Sequence, residues 1–196
     1  MTGLIAVRAA LILSTVLGAA VGCSTGTAAH VSSSRSTPGA PSAIGSCGPA
    51  TLGIHEGPRL SPATGEHGLI LAVHAGATRC TLIGFPVVEF FARGTPVPFA
   101  YVSGNGRYVT HRRPQPVTLG PGRVAYFLVA KYRCDRGITE SATGMTVALP
   151  GQGTVLTPPA SWLVLSIDHC VGGASDPGNT VEISPFEPTT ARLERG

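Results

Sequence analysis

The sequence predicts an all-β domain, a two-sheet β-sandwich closed by two disulfides, and three observations lead there. Short β-rich runs recur at regular spacing between turn residues, with no sustained 3.6-residue apolar period after Cys47. Glycine (26) and proline (17) together exceed a fifth of the 196 residues, which favours many turns over long helices. Hydrophobic content is 43%, too high for a disordered chain, while charged residues make up only 12%.

The N-terminus carries an export signal. Arg8 precedes an uncharged apolar run ending at Gly22, the layout of a signal peptide over residues 1–22. That run falls short of the roughly 20 residues needed to span a bilayer. It ends Ala20-Val-Gly-Cys23, which resembles a bacterial lipobox, with Ala20 where that pattern usually has Leu. Cys23 is therefore the candidate lipidation site, receiving diacylglycerol before cleavage. The competing reading is ordinary cleavage after Ala19-Ala20 or Ala28-Ala29, giving a secreted soluble protein. Residues 23–46 comprise the lipidated cysteine and a Ser/Thr/Gly/Ala/Pro linker whose one charge is Arg35. A coil of that length would hold the domain roughly 25 Å from the membrane.

The β domain is expected over residues 47–188, followed by a C-terminal tail over 189–196. Its strands are read in order from the apolar runs. They are Leu69-Ile-Leu-Ala-Val73, Cys80-Thr-Leu-Ile83, Pro86-Val-Val-Glu-Phe-Phe91, residues 97–102 and Pro116-Val-Thr-Leu119. The long run Val124-Ala-Tyr-Phe-Leu-Val129 follows, then Met145-Thr-Val-Ala-Leu149, Thr154-Val-Leu156, Trp162-Leu-Val-Leu-Ser-Ile167 and Val181-Glu-Ile183. Nine or ten such strands fit a sandwich, and Leu119-Gly-Pro-Gly122 marks a turn between two of them. A core of about 140 residues buries roughly two-thirds of its extended surface and can stand alone.

With Cys23 set aside, Cys47, Cys80, Cys134 and Cys170 remain, an even number in an exported chain. Three pairings are open to them. The nearest-neighbour arrangement, Cys47–Cys80 and Cys134–Cys170, is favoured. A zinc site would need tight spacings such as C-x-x-C, which the sequence lacks.

The order Cys80-Thr-Leu-Ile-Gly-Phe-Pro86, Leu119-Gly-Pro-Gly122 with Ala125 and Phe127, Cys134, Leu149-Pro150 and Cys170 resembles the actinobacterial domain of unknown function numbered 4232. The resemblance runs from about Cys47 to Pro188. That family often carries Asn a few residues before the first of these cysteines, where this chain has His74-Ala-Gly76. The resemblance implies an immunoglobulin-like sandwich in the cell envelope. It brings no activity and no catalytic residues.

Several segments are candidates for chemistry. Asp168-His169 adjoins Cys170, but a bridged sulfur cannot attack, so a polar turn at a strand end is the simpler reading. No G-x-S-x-G elbow or S-x-x-K motif occurs. A blue-copper site needs two His, a free Cys and usually a Met. His55, His67, His74 and His111 show no tight spacing, Met145 is the only Met past the start, and the cysteines are committed. No metal and no cofactor are expected. Trp162, flanked by Leu163-Val-Leu165, reads as core rather than as a stacking platform. The one concentrated polar segment is Gly104-Asn-Gly-Arg-Tyr-Val-Thr-His-Arg-Arg113, whose Arg107, Arg112 and Arg113 are candidate contacts for an anionic partner. Gly104, Gly106 and Pro114 favour a projecting loop there.

Net charge is +4, or +3 without Arg8, too small and too dispersed for a nucleic-acid footprint. The sequence thus points to a lipid-anchored, non-catalytic interaction or ligand-binding module on the outer face of the cytoplasmic membrane. Its partners would be that membrane, through the anchor, and an anionic envelope polymer or envelope protein. The alternatives are an envelope hydrolase, in which carboxylates and histidines would converge in one cleft, and a structural wall component.

Overall fold

Two uninterrupted apolar stretches organise the domain, because a strand that is apolar at consecutive positions must bury both faces. They lie in β2 (Glu66–Ala75) and β8 (Val124–Tyr132), which pair antiparallel from Glu66↔Tyr132 to His74↔Val124. The computed structural model describes residues 44–48, 52–60, 65–151, 153–163 and 167–194. The signal segment, Cys23 and the linker up to residue 43 lie outside the described residues.

Around this pair stand β1 (Leu52–Glu56), β13 (Thr180–Ile183) and β6 (Ala100–Ser103), giving a five-stranded sheet in the order β1-β2-β8-β13-β6. β6 runs parallel to β13, and the other neighbours are antiparallel. A four-stranded sheet has the order β11-β10-β4-β5, from β11 (Val155–Leu156), β10 (Gly144–Ala148), β4 (Val87–Ala92) and β5 (Thr95–Pro96). Two ribbons complete the set: β3 (Cys80–Leu82) with β7 (Val117–Leu119), and β9 (Ile138–Ser141) with β12 (Asp168–Cys170). The chain is all-β, with no α-helix among the described residues. Its strands form four separate sheets rather than the two expected.

The inward side chains of both larger sheets share one core. Leu69, Leu71 and Val73 of β2 and Ala125, Phe127 and Val129 of β8 join Val88 and Phe90 of β4 and Met145 and Val147 of β10. Phe127 meets Phe186 edge to face at 5.5 Å. On the opposite, outer face of the five-stranded sheet, Ile70, Leu128 and Ala130 are covered by Val109 and Leu193. This second, smaller cluster explains the unbroken apolar runs.

The cysteines pair as Cys47–Cys80 and Cys134–Cys170, the nearest-neighbour arrangement. The first ties the segment before β1 to β3, where Ser46 bridges Thr81 and the Gly45 carbonyl accepts from the Thr81 amide at 3.0 Å. Residues 45 and 46 thus belong to the domain rather than to the linker. The second closes the β9–β12 ribbon. Two closed disulfides suggest an oxidising, extracytoplasmic setting.

Four expectations need correction. Residues 97–102 do not form one strand: Val97 and Phe99 turn into the core, Pro98 between them has no N–H to donate, and only residues 100–102 enter a strand, β6. Trp162 closes a 3-10 turn, Ala160–Trp162, instead of opening a strand, and residues 164–166 lie outside the described residues. β1, β5, β9 and β12 were not anticipated at all. Residues 189–194 are no free tail, since Leu193 is buried and Glu194 bridges Val109. The turn at Leu119-Gly-Pro-Gly122 is present, with Gly122 at φ 68° and Gly120 bridged to Arg123.

Candidate functional site

The basic segment leaves β6 and crosses the outer face of the five-stranded sheet instead of projecting from it. Glu182 of β13 is the reason. Its side chain points to the outer face, is 6% exposed, and accepts the backbone amides of Arg107 (2.6 Å) and Tyr108 (2.8 Å) on its two oxygens. A buried carboxylate is costly unless hydrogen-bonded, and here two amides that need acceptors supply the bonds. Gly106 lies directly over that carboxylate, where any Cβ would overlap it. The far end of the segment is held by Val109, fully buried, and by the Thr110 amide donating to the Leu193 carbonyl at 2.8 Å. His111 Nε2 donates to the Gly106 carbonyl at 2.7 Å, closing the loop on itself.

This clamp leaves Arg107, Arg112 and Arg113 exposed on a fixed backbone. Arg107 donates to the Tyr132 hydroxyl at 3.0 Å, with its guanidinium 5.7 Å from that ring's centre. The Arg112 amide is fixed by Thr110 Oγ1 at 3.3 Å. Only two ion pairs form among the described residues, Arg59–Glu56 at 3.7 Å and Arg192–Glu187 at 3.9 Å. None of the three loop arginines belongs to either pair, although the charge of Glu182 acts on Arg107 and that of Arg112 on Glu187.

Beneath the loop, Glu66 faces Glu182 and Glu194. Burial, and then the charges of Glu194 and Glu182, push its carboxyl up to about 7. The Tyr108 phenol is pushed above its usual range by burial first and then by its hydrogen bond with Tyr132. A carboxyl whose folded value exceeds its unfolded one binds its proton more tightly in the folded state. Its contribution to stability is then full below about 4.5 and is lost as pH rises to about 7. Other groups titrate in the same window, so the isolating measurement is the difference between parent and E66Q. The parent should lose melting temperature relative to E66Q between pH 4.5 and 7.5. A pH-independent difference would contradict this.

The Asp168-His169 pair sits on strand β12 rather than in a turn. Ser141 Oγ donates to Asp168 Oδ1 at 2.6 Å. Thr139 Oγ1 donates to the His169 carbonyl and accepts from His169 Nδ1, both at 3.0 Å. The serine hydroxyl is thus bonded to the carboxylate and not to an imidazole, unlike an activated nucleophile. Cys170 is in its disulfide.

Trp162 is half-buried, packs on the main core and also lines a cavity of about 80 Å³ with Leu60, Gly68 and Ile70. Lys131, the single lysine, is 1% exposed on the inner face of β8. Its Nζ donates to the Tyr132 carbonyl at 2.6 Å and lies 6.0 Å from the Phe99 ring centre. Burial lowers its pKa, against the opposing pull of Asp168 and Asp176. Beside it, burial and then the charges of Lys131 and Arg133 lower His67.

Sequence reasoning found the arginines but missed Glu182, which organises them from 75 positions away along the chain. It also missed that His55 and His74 meet across β1 and β2, because cross-strand pairing leaves no mark in linear spacing. No group of three or more His, Cys, Asp or Glu suited to a metal occurs among the described residues.

No curated protein and no solved structure matches this chain. The family described as domain of unknown function DUF4232 matches residues 47–187, from the first disulfide cysteine to the buried Glu187 that pairs with β8. That span is well over half of the sequence, and the chain belongs to the DUF4232 family.

Proposed function

We propose that this protein is a lipid-anchored, non-catalytic envelope module that presents Arg107, Arg112 and Arg113 to an anionic polymer or headgroup outside the cytoplasmic membrane. The observation that carries the reading is the Glu182 clamp, which spends a buried carboxylate on fixing the backbone between exposed arginines. A guanidinium donates two parallel hydrogen bonds to one oxyanion, so a pre-ordered arginine loop suits phosphate-bearing partners. Cys23 supplies the anchor in this reading, and the linker keeps the loop among wall polymers, where weak contacts gain from local concentration. The same reading takes the five- and four-stranded sheets as the layers of an immunoglobulin-like sandwich, supported by the core they share.

The test is binding of the chain from Ser24 onward to vesicles containing phosphatidylglycerol, or to phosphate-bearing wall polymer, at low and high salt. Binding should be salt-sensitive and should fall in the triple Arg→Ala variant. Melting temperature should barely move, because exposed substitutions usually stay within about ±0.5 kcal/mol. Absence of binding at low salt, or equal binding by the variant, would refute the reading. For the anchor, Cys23→Ser should shift the protein from the membrane fraction to the medium or leave an unprocessed precursor. A processed, membrane-bound product would rule out lipidation at Cys23.

A further inference from the structure

At the opposite end of the same outer face, two exposed histidines stand in an unusual relation. His55 lies on β1 opposite Ala72, and His74 lies on β2 opposite Gly53, so the two rings meet diagonally across one strand pair. Their Nδ1 atoms are 3.2 Å apart, and the ring centres lie 5.3 Å apart at a 48° tilt. Gly53 makes this arrangement accessible. A Cβ at that position would overlap Cε1 and Nε2 of His74, so only glycine leaves room for the ring to lie across β1 with Nδ1 turned to His55.

We propose that His55 and His74 form a binding site for a divalent transition-metal ion of the copper, nickel and zinc class, each supplying its Nδ1 atom. The distance between the nitrogens is the first argument. Metal–imidazole bonds of about 2.0–2.1 Å place two cis nitrogens about 2.9 Å apart at a right angle and about 3.3 Å apart at a tetrahedral one. The observed 3.2 Å falls between these, so the separation of the two nitrogens suits one shared ion once each ring turns its lone pair toward it. The second argument is rigidity. Both residues sit on paired strands whose register runs unbroken from Leu52↔Ala75 to Glu56↔Leu71, so the ligands are held rather than gathered.

The third argument is chemical. Imidazole is a preferred ligand of these ions, and Cu2+ binds most tightly among them for a given donor set. In the metal-free protein one Nδ1–H is donated across the contact. On metal binding that ring carries its proton on Nε2 instead, so both Nδ1 lone pairs face the ion. No third His, Cys, Asp or Glu completes the set among the described residues, so water fills the remaining positions. This is an open, two-ligand site, distinct from a blue-copper centre, which requires a cysteine thiolate.

The test uses the full chain in detergent, carrying Cys23→Ser throughout so that the one cysteine outside the disulfides cannot bind metal. Ni2+ binding is followed by calorimetry, and Cu2+ binding by electron paramagnetic resonance. One equivalent should bind, with hyperfine coupling to two imidazole nitrogens. H55A and H74A should each weaken binding by about tenfold or more, because the second ligand acts at high effective concentration. G53A keeps both histidines but displaces the His74 ring, and should weaken binding by about 10–100-fold. H55N and H74N, with less change in bulk, should behave as the alanine variants do and keep the parent melting temperature. No binding, binding undiminished in H55A and H74A, or G53A binding as tightly as the parent would each overturn the proposal.

Discussion

Replacing Cys134 and Cys170 together by alanine is expected to cost about 2–5 kcal/mol of folding stability, the usual range for a native disulfide in a small exported domain. For a domain of this size that corresponds to a melting temperature lower by roughly 4–20 °C. The bridge spans a sequence separation of 36, and much depends on its position. Cys170 is fully buried; its amide donates to Asn179 Oδ1 at 2.5 Å and its carbonyl accepts from Asn179 Nδ2 at 3.0 Å. Gly178 packs so closely on the Cys170 sulfur that a Cβ there would overlap it. Three of the four residues of β9 are exposed, so burial contributes little to holding that strand. Urea denaturation of parent and double variant checks this. An unchanged midpoint would show that the ribbon is held by something other than the bridge.

Glu182→Ala is expected to have the second largest effect. It leaves the amides of Arg107 and Tyr108 without the acceptor each now has. Hydrogen bonds to charged groups contribute about 1.5–3 kcal/mol each, so the loss should be about 3 kcal/mol or more. The effect should also be local in a recognisable way. Amide hydrogen exchange should accelerate in residues 104–110 more than in β2 or β8, and anion binding should weaken although every arginine is retained. E182Q separates charge from shape. It removes one of the two charges that raise Glu66, so the Glu66 carboxyl should titrate at a lower pH in that variant. Uniform destabilisation, with loop exchange no faster than that of the core strands, would refute the clamp.

The parts of the fold legible in the sequence are those that announce themselves by apolar content. β2, β4, β8 and β10 carry the main core, and each appears as an apolar run. β9 and β12 stayed hidden because a ribbon of mostly polar residues, Ile138-Thr-Glu-Ser141 and Asp168-His-Cys170, buries little and has no alternation to read. Trp162-Leu163 misled for the opposite reason. It has strand-like composition, but Pro158-Pro159 before it starts a turn instead. The arginine loop was visible as a cluster, and its glycines suggested projection. Gly106 has a different use, close approach to a carboxylate contributed by a distant strand. The covering of the outer face by Val109 and Leu193 was implicit in the unbroken runs of β2 and β8, which no one-sided sheet would need.

The burial of Lys131 has a practical consequence for anyone seeking a partner of this protein. It is the chain's single lysine, and at 1% exposure it offers no side-chain amine on the described surface to acylating crosslinkers or biotin esters. The cationic groups that do face solvent are guanidinium ions, which keep their charge far above neutral pH. Capture in intact cells therefore calls for photoreactive or carboxylate-directed reagents, and a negative result with a lysine-directed one would reflect missing chemistry rather than a missing partner.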